Sequence, residues 1–156
     1  MQVRRVVTGH DDNGRAIDSI DEICRNRVSR RPAHESYVVW STGEFPSDNA
    51  TSADGAARDV SGIDPNGTVF RIIEYGPGVA PRNHRTESLD YAVVMSGEID
   101  MDIDGVEVHL RAGDVLVQRG TVHNWINRGR VPCVIAFVLV AAKPVALGDK
   151  LLGAAG

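Results

Sequence analysis

Between positions 98 and 111 the chain alternates strictly. Ile99, Met101 and Ile103 take turns with Glu98, Asp100 and Asp102; after Asp104-Gly105, Val106, Val108 and Leu110 take turns with Glu107 and His109. A period of two on both sides of Asp-Gly predicts a β-hairpin. Its register buries Ile99, Met101 and Ile103 and sends His109 to water. Further apolar runs follow at short spacing: Thr68–Tyr75, Tyr91–Met95, Val115–Gln118, Val122–Ile126 and Val134–Val140. Turns rich in glycine or proline part them, as at Gly76-Pro77-Gly78, Ser96-Gly97 and Asn127-Arg128-Gly129. Many short strands with regular turn signals predict a sandwich or barrel. Val134–Val140 does not alternate. Such a strand is expected to be covered on both faces, by the core on one side and by an arm or a second subunit on the other.

The first half is less regular. Val3–Thr8 and Ala16–Ile17 flank Asp11-Asp12-Asn13-Gly14, which predicts a hairpin. Ser19-Ile20-Asp21-Glu22 has the form of a capping box, so residues 19–31 read either as a short helix ended by Arg30-Arg31-Pro32 or as an extended arm. Tyr37–Trp40 reads as a strand. Gly43–Thr68 is rich in Ser, Asp, Asn, Gly and Ala, and is expected to be a mobile linker or else a lid over a barrel mouth. The chain thus divides into an arm with its strands and loop (1–67), a barrel (68–142) and a frayed tail (143–156).

Composition narrows the function classes. With 156 residues, 42% hydrophobic and 24% charged, the chain is long enough for one well-packed domain and too apolar to be disordered. A formal net charge of −4 with scattered basic residues gives no footprint for nucleic acid. The longest apolar stretch, Val131–Ala142, contains Pro132 and is too short for a bilayer span, so no membrane partner is expected. The N-terminus lacks the apolar core of a signal peptide, and Cys24 and Cys133 stand in no ligand spacing. Free thiols in a reducing cytoplasm are the expectation.

Two clusters carry the chemistry. The first holds Gly78, His84, Thr86, Asp90 and Gly97; the second holds Gly113, Gly120, His123 and Asn127. Their spacing and order, around a hairpin of suitable length, resemble the two motifs of the cupin superfamily across roughly Thr68 to Ala141. The resemblance implies an all-β, jelly-roll barrel with an N-terminal strand or arm and little helix, usually a homodimer. The chain departs from the pattern at four points. Thr86 stands where the family has its second histidine, Asp90 where it has glutamate, Gln118 in a proline slot, and Gly113 one residue too close.

Two imidazoles and one carboxylate, from His84, Asp90 and His123, match a metal-ligand set, and one divalent metal (Fe, Mn, Ni or Zn) is one expectation. Without a metal the same three residues would form a catalytic acid/base group in an apolar cavity. Thr86 shares the parity of His84, Trp125 shares that of His123 and could stack on a flat substrate, and Arg82 could pair with a substrate carboxylate. These three are the candidate substrate-binding residues. Tyr91 has the opposite parity and is expected to pack; His34, in a polar stretch, is expected to be exposed. Three functions compete: a lyase or isomerase acting on a small molecule by proton transfer, a non-haem-metal dioxygenase, and a small-molecule-binding barrel without catalysis.

Overall fold

The computed structural model describes residues 1–60 and 62–156. Its strands are β1 (Arg4–His10), β2 (Ala16–Ile23), β3 (Arg27–Val28), β4 (His34–Ser41), β5 (Thr68–Tyr75), β6 (Ser88–Ser96) and β7 (Glu98–Ile103). They continue with β8 (Val106–Arg111), β9 (Val115–Arg119), β10 (Asn124–Ile126), β11 (Cys133–Ala141), β12 (Val145–Leu147) and β13 (Lys150–Leu152). The described residues hold no helix, and so none long and apolar enough to cross a membrane.

Two sheets face each other as a jelly roll. One runs β3-β4-β5-β11-β6-β9 and the other β10-β7-β8. The inward positions of both, among them Ile73, Tyr75, Ala92, Val94, Ile99, Met101, Trp125, Ile135 and Phe137, form one buried core. The hairpin at Asp104-Gly105 forms as its alternation requires, with φ of +49° and +88° at the two turn residues, the backbone that this dipeptide tolerates. Gly97 is required for a different reason: with φ +74°, a Cβ there would stand 2.5 Å from the carbonyl oxygen of Pro132.

One open choice is decided and two expectations change. Residues 19–23 are strand, the extended one of the two readings, because β1 lies alongside residues 16–23 and supplies an antiparallel ladder, with one bulge, to what is locally a capping box. Arg27–Val28 continue the extended arm and join β4. The barrel does not begin at residue 68, since β3 and β4 belong to its larger sheet. The tail forms the β12–β13 hairpin, and Ala155 exchanges backbone hydrogen bonds with Arg85.

The polar loop is tied down at several points. Asp54 receives the Arg5 guanidinium, Ser41 Oγ donates to the Gly55 carbonyl, and Arg58 pairs with Asp64. A linker this well anchored fixes where its residues reach the barrel. Ser61, within that loop, lies outside the described residues.

Val134–Val140 is covered on one face only. Ile135 and Phe137 enter the core, whereas Val138 on the outer face is exposed beside Tyr91 and Val93 of β6 and Val117 of β9. Within a single chain this outer sheet face remains apolar and open.

Candidate functional site

His84 and His123 are brought together by the backbone itself. Each donates its N–H to the other's carbonyl, both at 3.0 Å, as one isolated antiparallel pair preceding β6 and β10. Residues paired in this way stand directly opposite and project to the same face. Their rings accordingly lie 4.2 Å apart, centroid to centroid. The Nδ1–H of His84 donates to the Arg82 carbonyl at 3.1 Å, which leaves its Nε2 as the lone-pair atom. Nδ1 of His123 meets the Gln118 carboxamide at 2.6 Å and the Thr121 carbonyl at 3.1 Å, so its Nε2 also remains for a ligand. Gln118, read from the sequence as a departure from a proline slot, therefore holds His123 in place.

Burial keeps both rings neutral. Desolvation lowers the pKa of His84, and lowers that of His123 to about 4, with the neighbouring His84 adding to the second effect. Trp125, 2% exposed, stands edge-on to His123 at 5.9 Å and continues through Tyr75 and Phe137 as an aromatic wall. These residues line a cavity of about 140 Å³ that also takes in Thr86, Asp90, Arg82 and His34.

Asp90 reaches the cavity but not the histidines. The Ser88 hydroxyl donates to its Oδ1 at 2.5 Å and lies 2.9 Å from Thr86 Oγ1. Burial raises the pKa of Asp90, against the lowering effects of Ser88 and Arg71. Thr86 is thus part of a small polar relay with Ser88 and Asp90 rather than a partner of His84. The two rings are oriented instead by the Arg82 carbonyl for His84 and by Gln118 and the Thr121 carbonyl for His123.

Several residues escaped the sequence reading. His34 is not a surface residue: it opens β4, faces Tyr75 edge-on at 5.5 Å and lines the cavity. Desolvation, then the nearby Arg31, lowers its pKa to about 4. Arg30, Arg31 and Arg71 line the same cavity with Arg82. Arg71 carried a usable signal, because it shares the inward parity of Val69, Ile73 and Tyr75 in β5. Arg30 and Arg31 sit in an irregular turn and carried none.

A Cupin domain model matches residues 71–140. Phomopsin biosynthesis cluster protein D of Diaporthe leptostromiformis is 48% identical over 96% of this chain and 84% of its own. The chain belongs to the cupin family. This cupin is also 37% identical, over 96% of its length and 77% of the relative's, to the cupin-domain-containing oxidoreductase fogC of Aspergillus ruber. Among solved structures, an RmlC-like cupin from Shewanella frigidimarina aligns with a TM-score of 0.50 and 13% identity, covering 75% of this chain and 84% of that one, which speaks for the fold.

A metal is often found in cupin domains, and the donor set here can be tested against that. Two imidazoles are available, but Asp90 is engaged with Ser88, and Thr86 is a poor ligand. Among the described residues no group of three His, Cys, Asp or Glu side chains is placed to hold a metal ion. The cavity wall also carries four arginines against one carboxylate, a setting that repels a dication. The residues do not fit a 2-His-1-carboxylate metal centre.

Proposed function

We propose that this cupin is a small-molecule enzyme whose barrel cavity carries out proton transfer next to a carbonyl, as in isomerisation, dehydration or decarboxylation. The observation that carries the reading is the facing pair His84–His123, both rings tethered through Nδ1 inside an aromatic-walled cavity. His84, neutral and with a free Nε2, acts as the base that takes a proton from carbon. His123 stands beside it, and with its Nδ1 accepting from the Gln118 amide its Nε2–H can hydrogen-bond the developing oxyanion, while His84 returns the proton. A positioned base of this kind contributes roughly 10²–10⁴-fold.

The relatives' names favour a second reading. Several are called cupin-domain-containing oxidoreductases or biosynthesis-cluster proteins, which supports a redox role in making a small metabolite. Such a reaction needs an electron acceptor or donor from outside this chain, and proton transfer at the same histidines could precede it. The exposed face formed by Tyr91, Val93, Val117 and Val138 supports a homodimer with a second copy seated there; a monomeric mass by light scattering would remove that part.

Proton NMR in D₂O with acetylacetone, ethyl acetoacetate and phenylpyruvate tests the main reading. We expect the protein to speed deuterium entry at the carbon next to the carbonyl, and His84→Ala to lose roughly 10²-fold of that acceleration. No acceleration on any of the three, or full acceleration in His84→Ala, overturns it. Binding without exchange would favour the non-catalytic barrel, and oxygen uptake with substrate the redox reading.

A further inference from the structure

The charge inside the barrel has the opposite sign to the charge of the chain. The whole protein carries −4, yet half-buried Arg31 and Arg71 line the cavity, with exposed Arg30 and Arg82 at its rim, against the single carboxylate of Asp90. None of the four takes part in a salt bridge among the described residues, although Arg4, Arg5, Arg27, Arg58 and Arg128 all do. Arg71 spends one N–H on the Gly62 carbonyl at 2.5 Å, and Arg82 spends one on the Gly156 carbonyl at 3.2 Å. Nε and Nη1 of Arg31, Nε of Arg71 and Nδ1 of His34 are buried with no partner among the described residues. Buried donors are almost always satisfied, and a cluster of unsatisfied ones calls for an explanation.

The backbone bears a cost to hold Arg31 there. Ala33, two residues on, has φ +56°, in the left-handed region where a residue with a Cβ is strained. Strain of this sort persists where the surroundings over-determine it, and it clusters at ligand clamps. Here Gly76 donates its N–H to the Ala33 carbonyl at 2.8 Å and pins the turn. The result is a guanidinium from the β3–β4 turn and another from the inward face of β5, brought to one cavity beside His34.

We propose that Arg31 and Arg71 form a carboxylate-binding subsite, and that the ligand of this barrel is a small organic acid of about one-ring size. A guanidinium presents paired N–H donors that match a carboxylate's two oxygens. The cavity of about 140 Å³ is close to one known to take benzene. The aromatic wall of Tyr75, Trp125 and Phe137 covers the apolar part of such a ligand, and its carbon chain then reaches His84 and His123. A carboxylate seated on the arginines also fixes which carbon meets the His84 Nε2.

The proposal rests on the reading of this cavity as the ligand site, but not on turnover. Benzoate, which has no exchangeable proton next to its carboxylate, is therefore the probe, with benzamide as its neutral counterpart. Titration calorimetry on the full chain is expected to give benzoate an affinity about tenfold or more above that of benzamide. Arg31→Met and Arg71→Met should each weaken benzoate about tenfold and leave benzamide unchanged, while Arg128→Met, on the outer surface, changes neither. Circular dichroism checks that each variant is folded; if Arg71→Met is not, Arg31→Met decides alone. Equal affinities for the two probes, no benzoate binding, or wild-type binding by a folded Arg31→Met protein overturns the subsite. Tighter binding of inorganic phosphate than of benzoate overturns the carboxylate assignment. Should benzoate bind as expected while no proton exchange is found on any keto compound, the subsite stands and the catalytic reading falls.

Discussion

Arg5 and Arg71 are the same residue in two opposite settings. The Arg5 side chain, 5% exposed, meets Asp54 through two parallel bonds of 2.7 and 2.6 Å and Glu22 through bonds of 2.9 and 2.6 Å. These partners raise its pKa, Asp54 first, and the guanidinium joins the arm, the polar loop and the sheet. Among the described residues Arg71 has no carboxylate within salt-bridge distance, and burial lowers its pKa; Arg31 behaves likewise. Burial by itself therefore does not separate a structural arginine from a functional one. What separates them is whether the fold supplies the counter-charge. It does so for Arg5, and inside the barrel it leaves the counter-charge to a ligand.

The histidines extend this contrast and carry the largest expected effect. His109, on the surface, is hydrogen-bonded to Asp100 at 2.8 Å, which raises its pKa, whereas His34 and His123 in the cavity sit at about 4. The signs follow. An unfolded histidine titrates near 6.5, above the folded values in the cavity, so the unfolded chain binds more protons below that pH. Stability from His34 and His123 is present above pH ~6.5 and is lost as the pH falls towards 4, by up to about 1.4 kcal/mol per pH unit for each. Asp90 acts in the opposite sense, because its raised pKa favours the protonated folded form in acid. Urea titrations from pH 7 to pH 5 should therefore show a loss of several kcal/mol. Proton NMR should find His109 titrating above 6.5 and His34 and His123 well below it. In Arg31→Met, His34 should move up while His109 stays. A flat stability profile over this range breaks the contrast.

Substituting the arginines tests it directly. Arg5→Met strands Asp54 and Glu22, and should cost about 3 kcal/mol, the lower end for breaking a buried pair, because both carboxylates still reach water. Arg71→Met removes a half-buried charge that makes no salt bridge among the described residues. It should leave stability unchanged or raise it by about 1 kcal/mol, with the loss appearing in ligand binding instead. Equal destabilisation by the two would make Arg71 structural and remove the argument for a ligand.

How far the sequence reaches depends on what holds each residue. The strands of the barrel were legible because burial alternates residue by residue, and the His84–His123 pair because both fall in spaced motifs. The inward side of β5 was legible too, and Arg71 could have been found there as a charge in an apolar row. Residues 19–23 stayed open between helix and extended arm because a capping box is local, whereas the strand partner that decides for the extended form lies in β1. The contact of Asp90 was out of reach for another reason. Parity says which face a side chain takes, but not that Ser88 two residues away will engage it. Arg31 depends on a left-handed Ala33, a conformation that alanine does not announce.

Arg128 supplies the third setting, paired but exposed, and the smallest effect. It bridges Asp100 at 2.6 Å and also meets Glu107, at the open edge of the smaller sheet. Water screens these charges, and ordering three long side chains offsets much of the attraction. Arg128→Met should therefore shift urea unfolding the least of the three, and the difference should shrink further in molar salt. The salt response separates the three positions. Arg5→Met should keep most of its penalty in salt because the guanidinium is buried, and Arg71→Met should show no penalty for salt to reduce. A loss at Arg128 as large as that at Arg5 would mean that pairing alone sets the energy, whatever the burial. In that case the unpaired arginines of the barrel would lose their special meaning.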